Sequence, residues 1–323
     1  MSRDFTLYWT SLERYENCPQ SFLWYRGWGA IDCGGGPGKK KPKPYKDSRH
    51  HAIMGIVIQG VIERIYNDEL WREPQGLANR LSDMVKREFK YQIGKPRNYI
   101  DWRLAPSRNE MLKVCLDGTL GFLRTMKHNR FLGEYARSEV DVVGYINKYN
   151  PVGGRLDFII RRESDVLNGI SILDGKNSKT KGRYTNPDQL RFYAMCFYLA
   201  YGQLPDRLGF VYFRYPYGMA VEGGAEGEVE EGVDWVEFTR EDLQGLAQRS
   251  VAARKGMNKE KFDPTPTPKG CRWCNYETVC DARKAQKKAN ARKPRNANDL
   301  LEGTDGFVEF GFDVGGSSPT KKA

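Results

Sequence analysis

The stretch VGGRLDFIIRRESDVLNGISILDGK, residues 152–176, decides how this chain is read. Residues 152–161 and 170–176 are short apolar runs rich in Ile, Leu and Phe, with the turn-formers Asn168-Gly169 between them. Runs of that composition parted by Asn and Gly read as β-strands. A third run, SEVDVVGYIN (138–147), is set off by Asn150-Pro151, so three consecutive antiparallel strands are expected. Side chains alternate along a strand, which sends Asp174 and Lys176 to one face, and pairing of adjacent strands brings Asp157 beside them. Carboxylate oxygens suit Mg²⁺ or Mn²⁺, which neutralises a phosphate and acidifies a bound water, while an ammonium holds the attacking hydroxide or the phosphate. Taken singly, each of the three residues reads as an ordinary charge at a strand end. Their joint spacing favours a site for phosphodiester hydrolysis.

Outward from this stretch, Asn186 caps a helix with Pro187 at its first position, and Leu190, Tyr193, Ala194 and Phe197 form one face. RLGFVYFRY (207–215) is a buried strand and DWVEF (234–238) another, after which Thr239 and Asp242 start a helix that stops near Gly256. Upstream, helical periodicity marks 51–71, 76–93 and 107–130. A first short helix is capped by Thr10 or Ser11, with Leu12, Tyr15 and the aromatics of 22–25 packing around Cys18. Helices, then a meander, then helix and strand make an α/β core with a central mixed sheet flanked by helices. Residues 1–280 form a single domain on this reading. Residues 27–49, rich in Gly, Lys and Pro, are expected to be a mobile loop where DNA first touches, and 281–323, basic and then Gly-rich, a disordered tail.

A net charge of +11 and a pI near 9.2 favour a polyanionic partner such as nucleic acid. Much of the excess sits in Lys39–Lys46 and Arg283–Arg295, which also read as solvated linkers. No apolar run reaches the ~20 residues of a membrane span, and neither a signal peptide nor a presequence is visible at the start, so a soluble cytosolic protein is expected. Seven cysteines without an export signal point to metal binding or buried thiols. Cys271, Cys274 and Cys280 form a C-x2-C-x5-C run. Cys18 is the best fourth ligand and Cys33 the runner-up, because Cys115 and Cys196 sit among helical apolar residues. Four thiolates accept an iron–sulfur cluster or zinc. Trp273 and Tyr276 between them either shield the metal or stack a base.

GRLD, then D-x-K at Asp174-Gly175-Lys176, then QLxxYA at 189–194 resembles the RecB-like series of PD-(D/E)XK nucleases, over about residues 50–280. The resemblance implies a restriction-endonuclease-like core, metals held by Asp157 and Asp174, Lys176 at the nucleophile, and Gln189 and Tyr193 in the site. Many such nucleases carry G-x-x-x-H on an earlier helix. Here that register reads Gly55-Ile56-Val57-Ile58-Gln59, so Gln59 stands where His is usual. An amide carbonyl can still ligate a hard cation, Glu63 lies one turn further on the same face, and His50 and His51 just before the helix are the available imidazoles. The cysteine pattern is similar to iron–sulfur members of the superfamily, the AddB nuclease domain and the CRISPR-associated exonuclease group (Cas protein four). It implies a [4Fe–4S] cluster on Cys18, Cys271, Cys274 and Cys280, a clasp joining the two ends of the domain. By the same resemblance the function is a single-stranded DNA exonuclease of recombination, repair or replication, in a prokaryotic or phage-infected cytosol. The alternative is a weak or inactive DNA-binding subunit of a recombination or CRISPR-adaptation-like complex. No P-loop GxxxxGK[ST] occurs, so unwinding falls to a helicase partner.

Overall fold

The computed structural model describes residues 5–26, 50–73, 75–95, 98–132, 136–162, 169–178, 181–182, 185–221, 223–272 and 274–291. The expected loop at 27–49, Cys33, Trp273 and residues 292–323 lie outside the described residues.

Among the described residues six strands form one sheet: β1 (Leu7–Tyr8), β2 (Ala136–Tyr145), β3 (Pro151–Arg162), β4 (Gly169–Lys176), β5 (Arg207–Tyr212) and β6 (Val233–Val236). The β2–β3–β4 meander is antiparallel as read from sequence, β5 joins β4 in parallel, and β6 closes the edge antiparallel to β5. The two-residue β1 was not anticipated and pairs in parallel with Val152 and Gly153 of β3. Because β2 covers one edge of β3 along its length, β1 and β4 must share the other edge. β1 takes 152–153 and β4 takes 158–162, which leaves GRLD, 154–157, in the gap.

Helices α3 (His50–Asn67), α4 (Leu77–Gly94) and α5 (Arg108–His128) cover one face of the sheet. Eight apolar side chains of α3 between Ile53 and Tyr66 are buried there, each worth about 1.5–3 kcal/mol relative to exposure. A capping box on α5, with Ser107 Oγ accepting Glu110 N–H and Glu110 accepting Ser107 N–H, fixes where that helix starts. The other face carries α1 (Trp9–Asn17), α6 (Pro187–Tyr201) and α7 (Arg240–Asn258). Asn186 caps α6 as expected and Gly202 ends it at φ 72°, a left-handed position that glycine takes without penalty. Thr239 and Asp242 form the box that starts α7. Arg249 of α7 reaches Glu16 of α1 and Asp188 of α6, and the buried Arg254 donates to the carbonyls of Phe5 and Pro151. The start of the chain is thereby tied to α7 and β3.

Three expectations are corrected. Neither Thr10 nor Ser11 caps α1: the helix follows β1 directly from Tyr8, without a side-chain cap, and breaks at Cys18 before α2 (Pro19–Arg26). His50 and His51 lie within α3 and not ahead of it, as its first turn. The chain also does not lose structure at 281. After the short α8 (Pro268–Arg272) comes α9 (Asp281–Ala291), whose Ala, Lys, Arg and Gln are strong helix formers. No helix among the described residues is long and apolar enough to cross a membrane.

Candidate active site

Where β4 diverges from β3, a side chain replaces the ladder: Asp157 Oδ2 accepts the Gly175 N–H at 2.8 Å. Asp157 also sits where β3 turns over. Gly154 faces Tyr193 and Leu156 packs with α6, whereas Phe158 and Ile160 pack on the α3–α5 side. Residues two apart on an undisturbed strand share a face, so the alternation reverses at 157. Across the pair, Ser138 matches Phe158 and Val140 matches Leu156. Glu139 between them has φ 55°, a left-handed conformation that costs a non-glycine residue about 1–2 kcal/mol. Backbone strain of this kind concentrates at functional sites.

Asp157 thus joins two groups of residues. On the α6 side, Gln189 Nε2 donates to Asp174 Oδ1 at 2.8 Å and to the Tyr193 hydroxyl at 3.1 Å, and Gln189 Oε1 accepts from Lys176 Nζ at 3.1 Å. Lys176 Nζ lies 2.5 Å from Asp174 Oδ2. Gln189 therefore meets both ends of the D-x-K motif, and Tyr193, one turn further along α6, is linked to it through Gln189. Gly154 makes room for this arrangement, since a Cβ there would lie 2.7 Å from the Tyr193 ring. On the α3 side, a cavity of about 830 Å³ is lined by Gln59, Glu63, Glu139, Arg155, Asp157 and Asn177, among others. Gln59 Nε2 donates to Glu139 Oε1 at 2.8 Å, and Arg155 Nε is 2.5 Å from Glu139 Oε2. His50 and His51 lie with ring centroids 4.0 Å apart and planes tilted by 49°, and the cavity lining on α3 begins after them at Ala52.

Burial pushes the Asp157 carboxyl well above the usual carboxylate range, and the Asp174 charge adds to this, while the Gly175 N–H opposes it. Burial raises Asp174 too, against the Lys176 ammonium. Burial, and then Asp174, raises the Tyr193 hydroxyl, which keeps it a neutral donor. Two neighbouring buried carboxyls whose ionisation burial opposes are the condition a divalent cation relieves. Asp174 Oδ2 is buried, and its close partner is the Lys176 ammonium, which leaves a second lone pair on that oxygen. No three His, Cys, Asp or Glu side chains among the described residues are arranged to hold a metal. That arrangement still suits Mg²⁺, which commonly takes one or two carboxylates and fills its octahedron with carbonyls and waters. The residues present fit such an ion.

A family model for the PD-(D/E)XK nuclease superfamily matches residues 9–281. The chain belongs to the PD-(D/E)XK nuclease superfamily. Nucleases of this superfamily typically use Mg²⁺ or Mn²⁺ and act on DNA. No curated protein sequence matches the chain. Among solved structures it is similar to one described as the crystal structure of SSO0001, at 14% identity over 72% of this chain and 95% of that one. The TM-score is 0.33, and nothing about the site is drawn from that likeness.

In this PD-(D/E)XK chain Glu139, Arg155 and Asn177 were not anticipated as site residues. Glu139 and Asp141 both occupy odd positions of an alternating strand, which reads as a solvent face. The reversal at 139 and 157 turns the first of them into the cavity. The four cysteines come together from the two ends of the domain: Cys18, Cys271, Cys274 and Cys280 line one cavity of about 430 Å³. Their thiols do not converge. Cys274 Sγ lies 3.6 Å from Ser21 Oγ, and Cys280 Sγ lies 3.6 Å from Gln20 Oε1. Thiols are the donor type that a thiolate-bound metal takes, but among the described residues no three of them are arranged to hold one. Tyr276 is buried edge-on against Trp24 at 5.2 Å, so it packs beside the cavity and is not open to a base. Cys115 and Cys196 are buried elsewhere, with burial pushing the Cys115 thiol up to about 12.

Proposed function

We propose that this chain is a Mg²⁺- or Mn²⁺-dependent deoxyribonuclease that digests single-stranded DNA from an end. The observation that carries the hydrolytic part is the hydrogen-bonded circuit Asp174–Gln189–Lys176, with Asp157 beside it on Gly175. Asp157, Asp174 and the Gln59 carbonyl would hold the cation, which when bound neutralises the scissile phosphate and acidifies a water. Lys176 holds the nucleophile or a phosphate oxygen. Gln189, bonded to both Lys176 and Asp174, fixes their separation, and Tyr193 offers its proton as a neutral hydrogen bond to a phosphate oxygen. Cys18, Cys271, Cys274 and Cys280 would hold a [4Fe–4S] cluster that joins α1 and α2 to the C-terminal helices. The preference for single strands and for ends, a helicase partner, and service in recombination or repair follow from the likeness to iron–sulfur members of the superfamily.

The test is digestion of end-labelled linear and closed-circular single-stranded DNA with Mn²⁺, using anaerobically purified protein and its Asp174→Ala variant. Wild type should degrade the linear form and spare circles, and the variant should degrade neither form. Cutting of circles would replace the exonuclease by an endonuclease. An amide at Gln59 in place of an imidazole favours a second reading, a non-catalytic DNA-binding subunit, and binding without cleavage by both proteins would establish it.

A further inference from the structure

The Gln59 amide has two chemically opposite ends, and only its carbonyl oxygen can ligate a cation. Its orientation is set by Glu139. An ionised carboxylate is acceptor-only, so the group that faces Glu139 Oε1 at 2.8 Å must be the amide nitrogen. The other Glu139 oxygen is held by Arg155, which keeps the carboxylate in place. With the nitrogen fixed, Gln59 Oε1 points toward Gly175, where an added Cβ would lie 3.2 Å from it. Gly175 is the residue whose N–H binds Asp157. Oxygens of Gln59 and Asp157 therefore gather at the same stretch of β4, and the left-handed backbone of Glu139 is what delivers its carboxylate there.

We infer that Glu139 is a positioning residue: it holds the Gln59 amide with its oxygen toward the metal site, so that an amide serves where an imidazole would otherwise ligate. This rests on the metal-site reading of Asp157 and Asp174 above. A carboxylate that orients a metal-binding imidazole through its second nitrogen works by the same logic. Replacing Glu139 by Gln puts both a donor and an acceptor opposite Gln59, and the amide is then free to turn its nitrogen toward the cation.

The test measures Mn²⁺ binding by the full-length protein, without DNA, from the electron paramagnetic resonance signal of free Mn²⁺, with melting temperatures confirming that every variant is folded. Glu139→Gln should weaken Mn²⁺ binding about tenfold, within the 10–100-fold range of outer-shell substitutions. In a Gln59→Ala background the same change should cost nothing further. Gln59→His should restore binding to the Glu139→Gln variant, because an imidazole N–H can use the Gln carbonyl and still present its other nitrogen. Equal weakening in the wild-type and Gln59→Ala backgrounds would overturn the inference, since Glu139 would then act through its own charge or as a ligand. So would unchanged binding in Glu139→Gln, or failure of Gln59→His to restore it. If wild type binds Mn²⁺ no better than an Asp157→Asn, Asp174→Asn double variant, the metal-site reading itself fails and the inference falls with it.

Discussion

The carboxylate site and the cysteine cavity differ in what holds them together. Asp157, Asp174, Lys176, Gln189 and Tyr193 stand on two sheet strands and one helix, and hydrogen bonds of 2.8–3.1 Å already connect them. The cysteines stand on short helices and turns; Cys274 and Cys280 pack with Trp24 and Tyr276 in a small cluster, with their thiols near Ser21 and Gln20. A site built on a buried ladder is organised by the fold. One built where little apolar surface is buried is organised by what it binds.

Substitutions should therefore act oppositely in the two regions. Asp157→Asn keeps an oxygen for the Gly175 N–H and removes one of two neighbouring buried charges. It should lower cleavage at least 10³-fold, about 4 kcal/mol, with the melting temperature unchanged or raised. Parallel kinetics and calorimetry check this, and a large loss of stability would mean that the carboxylates hold the sheet together. Cys280→Ser should do the reverse. Loss of the proposed cluster should abolish visible absorption and lower the melting temperature by roughly 5–10 °C, from about 2–4 kcal/mol of lost stabilisation. An unchanged melting temperature would make the cysteines mere packing. The smallest effect is expected from Tyr193→Phe, which keeps the ring against Gly154 and loses one hydrogen bond to phosphate, about tenfold in rate. A loss as large as that of Asp157→Asn would give Tyr193 a part in the chemistry itself.

Much of this contrast is visible in sequence. The meander and the capped α6 follow from strand period and from Asn186-Pro187, and strand period groups Asp157, Asp174 and Lys176. Gln189 and Tyr193 enter through the resemblance to RecB-like nucleases, with only their shared helix face read from spacing. Strand period also hid Glu139, because alternation assumes a strand that never turns over, and only a left-handed residue at 139 brings that side chain into the cavity. β1 has two residues, too short to carry any periodicity. The charge of 281–291 reads as a tail, yet its Ala, Lys and Gln are helix formers, and Arg283 and Lys287 of α9 both pair with Glu277.

The most direct measurement is the single-turnover cleavage rate of a short single-stranded oligonucleotide against Mn²⁺ concentration, for wild type and Asp174→Asn, with a chelator control. Saturable dependence on Mn²⁺, abolished by the chelator and lost at least 10³-fold in the variant, is the expected result. Cleavage that survives the chelator, or a variant within tenfold of wild type, would place the chemistry somewhere other than Asp157, Asp174 and Lys176.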